Sequence, residues 1–291
     1  RPVEWNLWRA PLDNDRYVRD SWETAGFSRP IPRVSAYEVG EEKGCAVLRF
    51  RVSLGAVSTR NMLEALLCWS VGADGLLRLD SRCLLAPGLP PMPRLGLRFF
   101  LPEAFGQVVY DGFGPTESYI DKHHACWRQR FASTAEGMHT DYIRPQENGS
   151  RCGCTEITLT NAKGEGLRVR GSDAFSFSAS PYTQEELAAK GHNTELVKSG
   201  FTVLCLDAFH CGVGSGQPCC PAIPCGRKKS ALPGCSTGCP ADKAGDWTGL
   251  WRLIPPTSCF PALRWRASPT PAAVFPVSGP LLAPLFLHSR R

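Results

Sequence analysis

The chain has 291 residues, of which 43% are hydrophobic, 21% charged and 10% aromatic. That balance excludes a disordered chain and leaves room for one large domain or two ordinary ones. No run approaches the roughly 20 uninterrupted apolar residues of a membrane helix, and the opening RPVEWNLWRAPLDND lacks the regions of a signal peptide. The formal net charge of +6 is unevenly spread. Residues 1–218 hold 24 Lys+Arg and 25 Asp+Glu, a net of −1, whereas 219–291 hold 9 and 2, a net of +7. A nucleic-acid partner inferred from the total would be an artefact of averaging.

In chain order, the body reads as antiparallel β. From Ala46 to Leu54 the string AVLRFRVSL puts Ala46, Leu48, Phe50, Val52 and Leu54 on one face, a period of two that belongs to a half-buried strand. EALLCWSV and LLRLDSRCLL follow, joined by Gly72-Ala73-Asp74-Gly75 with its Asp-Gly hairpin signal. The stretch PGLPPMP at 87–93 cannot supply a ladder of amide donors and predicts a linker or a crossing between sheets. RLGLRFFLP resumes the alternation, and TEITLTN, GLRVRGS, AFSFSAS and GFTVLCLDAF are later strand candidates. Many short strands with Gly/Pro punctuation predict a two-sheet sandwich. One helix is expected over 183–190, with Thr183 as N-cap, Glu186 completing a capping box and Gly191 as its stop.

Beyond residue 218 the sequence changes character. The last 73 residues carry 12 of the 25 prolines and 6 of the 14 cysteines. Proline recurs too often there for a central strand or a helix, so 219–291 is expected to be a Pro/Cys-rich basic tail outside the native fold, non-native or disordered. A translated intron or a shifted reading frame accounts for such a break.

Few residues offer an anchor for chemistry. No C-x-x-C pair occurs, and Cys235-x-x-x-Cys239 lacks a second pair or a nearby His, so no metal site is expected and buried free thiols are. No G-x-S-x-G or H-E-x-x-H occurs. Gly212-x-Gly214-x-Gly216 resembles a phosphate loop, but prolines and cysteines stand where its helix should start. Asn148-Gly149-Ser150 fits a glycosylation sequon, yet Asn-Gly is first of all a turn. His123-His124 reads as a solvated loop pair. Glu117 and Glu147 are the candidates for a glycosidase's pair of carboxylates. Each lies beside a Pro and a Gly in a polar, turn-rich stretch, which favours carboxylates that accept backbone N–H bonds. In WRAPLDND, Arg9 beside Asp13, Asn14 and Asp15 predicts a partly buried guanidinium held by carboxylates and turn backbone.

Four segments then carry a resemblance. WNLWRAPLDND (5–15), GFGPTESYIDK (112–122), YIRPQENGSRCG (142–153) and DAFHCGVGS (207–215) fall in the order found in the small-chain, domain 5-like part of lactose-type β-galactosidases of glycoside hydrolase family 2. SPYTQEEL at 180–187 is similar too, and the likeness covers about residues 1–218. It implies an all-β, many-stranded antiparallel supersandwich of the galactose-mutarotase-like kind, N-terminally clipped. It implies no catalytic residue in this chain, since the family's two catalytic glutamates lie on a preceding (β/α)₈ barrel. Magnesium and sodium are implied for the complete enzyme, with no cofactor or metal bound by this chain. The implied partners are a galactoside substrate and the barrel and N-terminal domains of the parent, as a cytoplasmic homo-oligomer, with neither nucleic acid nor membrane. Aligning the Gly-rich turn places Cys219 where the family has a Trp or Cys facing the galactoside. A free-standing carbohydrate-binding or partner-binding module without catalysis is the alternative.

Overall fold

A computed structural model describes residues 1–214 and the backbone of 246–254. It comprises β1 (Glu4–Asn6), α1 (Arg19–Ala25), β2 (Ile31–Glu42), β3 (Cys45–Gly55), β4 (Leu63–Val71), β5 (Leu77–Leu85), β6 (Arg94–Pro102), β7 (Gln107–Gly114), β8 (Trp127–Thr134), β9 (Arg151–Thr160), β10 (Gly166–Ser180), α2 (Gln184–Ala189), β11 (Phe201–His210) and β12 (Asp246–Ile254). Every strand pairing is antiparallel. None of the described helices is long and apolar enough to cross a membrane.

The hairpin signal produces the hairpin. β4 and β5 pair without a register shift from Leu63↔Leu85 to Val71↔Leu77. At the turn the Gly72 N–H donates to the Leu76 carbonyl (3.2 Å), the Gly75 N–H to the Gly72 carbonyl (3.0 Å) and the Leu76 N–H to Asp74 Oδ1 (3.0 Å). Gly75 sits at φ +75°, where a side chain would be strained. In β3, Val52 and Leu54 are buried as the alternation requires, but at the start of the strand Val47 is buried and Ala46 exposed. The proline-rich stretch 87–93 carries the chain from β5 to β6.

That crossing separates two sheets. One runs β8-β7-β9-β10-β11-β6-β1 and the other β12-β5-β4-β3-β2, and β10 belongs to both. Along one edge β10 pairs with β9; along the other, residues 168–171 pair with β12 and residues 176–180 with β11. The main apolar cluster among the described residues lies between them, with Leu54, Leu63, Ala65 and Leu79 from one sheet and Val108, Ile157, Leu159, Phe177 and Leu204 from the other. The sandwich is therefore present.

Three expectations need correction. GLRVRGS and AFSFSAS are one strand, β10, with an irregularity between Arg170 and Phe175. A second helix, α1, precedes β2; Gly26 closes it at φ +84°, its N–H donating to the Glu23 and Trp22 carbonyls. The expected helix spans Gln184–Ala189, and Thr183 Oγ1 accepts from the Glu186 N–H at 3.1 Å. The Glu186 carboxylate does not return the bond: it accepts from the Val197 N–H (2.9 Å), and the Gly191 N–H goes to Glu195 Oε2 (3.0 Å). Asp246–Ile254, within the stretch expected to be a non-native or disordered tail, forms β12 between β5 and β10. The rest of 219–291 lies outside the described residues.

Phe177 has no exposed surface and meets Tyr110 edge-on at 5.4 Å between ring centroids. Phe177→Ala should cost about 3–5 kcal/mol in chemical denaturation. Leu66, 47% exposed on the outer face, should tolerate Ala within about 0.5 kcal/mol.

Candidate functional site

The unusual segments meet at one end of the sandwich, around side chains that an apolar core rarely admits. Arg94, at the start of β6, is fully buried. Its Nε and Nη2 donate to the two carboxylate oxygens of Asp207 at 3.2 and 2.6 Å, and its Nη1 donates to Glu147 Oε1 at 3.1 Å. Local backbone geometry aims these groups. The β6–β11 ladder shifts register between Asp207 and Phe209, and a bulge of that kind re-aims a side chain. Opposite Asp207 stands Gly96, where a Cβ would lie 2.2 Å from the Leu206 carbonyl oxygen and 2.4 Å from Asp207 Oδ1.

Arg9 is the second buried cation. Its Nε and Nη2 grip Asp15 at 3.1 and 2.7 Å, and its Nη1 donates to the carbonyls of Cys211 (3.3 Å) and Gly212 (3.0 Å). The guanidinium lies 5.6 Å from the ring centroid of Trp22, so the helix missed in the sequence helps to seat it. The predicted network around Arg9 is there, with its acids sorted. Asp15 holds Arg9, Asn14 donates to the Val213 carbonyl (2.8 Å), and exposed Asp13 pairs with Arg144 (3.3 Å). A third buried guanidinium, Arg151, is held by Tyr110 Oη and by the carbonyls of Gly149, Ser150 and Pro115.

Glu117 and Glu147 have different surroundings. Glu117 accepts from the Gly149 N–H (2.9 Å), from Lys122 Nζ (2.6 Å) and from Tyr142 Oη. Burial works against its charge, but Lys122, Tyr142 and the Gly149 amide hold the carboxyl below its ordinary range. That matches the scaffold reading. Glu147 is instead an ion-pair partner of Arg94. Burial pushes the Asp207 carboxyl up to about 6, against the pull of Arg94, so the pair remains ionised at neutral pH. His210, buried beside Ser150 (3.4 Å) and Tyr119, is kept neutral by burial and by the charges of Arg94 and Arg9, its pKa well below the ordinary value.

The Gly-rich turn is where these contacts end. Its carbonyls at 211, 212 and 213 are held by Arg9 and Asn14, and its N–H groups at 213 and 214 donate to Asp121 (3.0 and 2.7 Å). The apparent phosphate loop thus binds an anion of its own chain. Cys219 lies outside the described residues. Asn148, 8% exposed, spends its amide on the Thr140 N–H and the Gln146 carbonyl, so the sequon is a turn. His123 and His124 stack at 4.9 Å on the loop after Tyr119. Cys152 and Cys154 are both buried free thiols. Among the described residues no cluster of three His, Cys, Asp or Glu stands ready for a metal ion.

The profile of the family described as Beta galactosidase small chain matches residues 1–225. The chain belongs to that family. A β-galactosidase from Actinobacillus pleuropneumoniae is 40% identical over 219 residues, and one from Staphylococcus xylosus is 31% identical over 218, each match covering 75% of this chain. The chain spans only 21% and 22% of the length of those relatives. Among solved structures, a GalM/aldose epimerase homologue from C. elegans is similar over 75% of this chain and 67% of its own, at 11% identity and TM-score 0.33. At that score nothing about function transfers.

Sequence reasoning found the motifs but missed Arg94, Arg151 and His210. Arg94 sits in RLGLRFFLP, where a charge at a strand start looks ordinary; its partner Asp207 is 113 residues away.

Two outcomes follow from buried charge. Arg94→Ala and Arg9→Ala each leave carboxylates unpaired and should cost about 3–5 kcal/mol, whereas Arg19→Ala, at a side chain 51% exposed, should stay within about 0.5 kcal/mol; urea melts decide. The second concerns pH. His210 stays neutral in the fold but protonates in the unfolded chain below about 6.5, so the unfolded state binds more protons there and stability falls as pH drops. Asp207, with its pKa raised, opposes this below about 6 because the folded state retains its proton. Between pH 7.5 and 6.0, His210 should therefore lower stability as the pH falls. His210→Gln should lack that component when melts at the two pH values are compared.

Proposed function

We propose that this chain is the non-catalytic sandwich portion of a β-galactosidase that hydrolyses terminal β-D-galactosides, lactose among them, with retention. Its part is to shape the sugar pocket through the Gly-rich turn and Cys219. The observation that carries this reading is convergence. Segments spread from residue 5 to residue 214 meet in one buried polar network whose last contacts hold the turn that leads to Cys219.

The same network argues against chemistry within this portion. Retention requires one carboxyl that gives and takes a proton and another that attacks the sugar, about 5–5.5 Å apart. Asp15, Asp207 and Glu147 are committed to buried guanidinium groups, and Glu117 is saturated by Lys122, Tyr142 and the Gly149 amide. Carboxylates so engaged are not available to attack carbon or to cycle a proton. The two that do so belong in this reading to the barrel of the parent enzyme, a homo-oligomer, and the magnesium and sodium ligands to its earlier domains. Its docking face includes Ile143 and Tyr17, large apolar side chains 77% and 74% exposed. Arg144 and Asp13 bring their two loops together.

The test supplies this chain in trans to the A. pleuropneumoniae enzyme from which the matching segment has been deleted. Neither part alone should turn over a chromogenic β-galactoside, and together they should. Ile143→Asp should reduce recovered activity roughly tenfold by weakening assembly. Hydrolysis by this chain alone would refute the reading. So would failure of the folded pair to hydrolyse while this chain alone bound galactose, the outcome expected of a free-standing module.

A further inference from the structure

Two edges of the sandwich are open, and they carry opposite charge. Among the described residues β2 pairs with β3 alone and β8 with β7 alone, so each leaves one row of peptide N–H and C=O groups outside any ladder. Edge strands are commonly guarded by proline, lysine or a bulge. β2 has such guards only in its first half: Pro32 lacks an N–H, and the ladder slips between Val34 and Ala36. From Ala36 to Glu42 its register on β3 is unbroken, as is that of β8 on β7 from Trp127 to Thr134. Neither stretch contains a proline or a lysine.

The side chains sort by sign. The open half of β2 carries Glu38, Glu41 and Glu42 and no cation, and β8 carries Arg128 and Arg130 and no acid. Glu38 and Glu42 approach Arg49 at 3.7 and 2.6 Å, yet their side chains stay 68% and 57% exposed. Arg128 and Arg130 lie 3.6 and 3.7 Å from Asp111 and Glu156 and stay 48% and 62% exposed. Like charges opposite each other across two strands disfavour a pairing and opposite charges favour it. Each edge therefore repels its own kind and attracts the other. Exposed Tyr37 and Val39 on β2 and Trp127 on β8 add apolar surface to both.

An antiparallel register that sets Glu38 opposite Arg130 brings the rest into line. Arg128 then faces Gly40, diagonal to both Glu38 and Glu42, and Tyr37 faces Phe131. Residues two apart share a face, so these acids and arginines meet on one side of the joined sheet. The match runs from Ala36 to Glu41 against Ala132 to Trp127, an ordinary strand length of about six residues.

We infer that β8 of one copy of this chain adds to β2 of a second copy as an antiparallel strand. Main-chain hydrogen bonds across the two edges supply the pairing, and the charges choose the partner and its register. The two surfaces differ, so the contact is head-to-tail. A pair joined this way still has a free β2 at one end and a free β8 at the other. Copies therefore close into a ring or extend into a chain, and do not stop at a dimer.

Sedimentation velocity of the full chain tests this association. The weight-average mass should climb past that of two copies as concentration rises, and about 0.5 M NaCl should reverse part of the climb by screening exposed charge. Arg130→Glu and Glu38→Arg each set like charges opposite, and each should raise the concentration needed for association roughly tenfold. An equimolar mixture of the two variants should recover wild-type behaviour, because the altered edges match each other and so do the unaltered ones. The double variant Arg130→Glu/Glu38→Arg should recover it within a single chain. Circular dichroism checks that each variant is folded; should Arg130→Glu fold poorly beside Asp111 and Glu156, Glu38→Arg still carries the test. A monomer at every concentration overturns the inference. So does association that neither reversal weakens, or that only one of two folded variants weakens, the mark of a strand pairing with its own kind. Failure of the folded mixture to recover overturns it as well.

Discussion

A guanidinium with no access to water must find carboxylates within the protein, and Arg94 finds two. Its burial would cost several kcal/mol unpaired, so the fold that contains it must also deliver Asp207 and Glu147 to bonding distance. That requirement ties together three distant stretches: the start of β6, the end of β11 and the 142–153 loop. Arg9 repeats the logic with Asp15 and then reaches across to the carbonyls at 211 and 212. The buried acids Asp15, Glu147 and Asp207 answer to Arg9 and Arg94, so each of these five groups constrains where another can be, whereas buried Arg151 is held by Tyr110 and backbone carbonyls.

The legible parts of the fold were those with one wet face and one dry face. β4 and β5 alternate because one side of each packs in the core, and their Asp-Gly turn is a local instruction. β2 was invisible for the opposite reason. It is an edge strand with little buried surface on either face, its Tyr37 and Val39 being 69% and 62% exposed, so IPRVSAYEVGEE carries no period. β8 is likewise an edge, with Trp127 through Arg130 all exposed. The helix α1 left a fainter mark in Gly26, a C-terminal cap that stands out only once its φ is known. At the site, Arg9 was legible because its acid partner is six residues away, and Arg94 was not, because no local pattern records a pairing 113 residues long.

The fork at β10 gives Asp246–Ile254 a place in the sheet. Where β10 leaves β11, its free edge and that of β5 face the same gap, and the ladder there is filled by Asp246–Ile254. This nine-residue stretch, DWTGLWRLI, has no proline and two tryptophans, unlike the segments around it. A count of prolines over 73 residues averages it away. Strand formation depends on the local run and on an available partner edge, and both exist at this point in the sheet.

Buried ion pairs are a poor way to gain stability; well-packed apolar residues of similar volume commonly do as well or better. What an apolar core cannot do is hold peptide groups, because methyl and phenyl surfaces offer neither donor nor acceptor. The turn at 211–214 buries the side chains of Cys211 and Val213 and is bound as well through its peptide groups: three carbonyls to Arg9 and Asn14, two amides to Asp121 and the Cys211 N–H to the Pro93 carbonyl. Each of those side chains is in turn placed by a neighbouring motif, Arg9 by Asp15 and Asp121 by the Tyr119–Lys122 backbone pairing. The network is therefore best understood as a device for locating backbone rather than for stabilising the sandwich. That is why its motifs cluster at one end of the two sheets, while the apolar cluster between the sheets accounts for the fold.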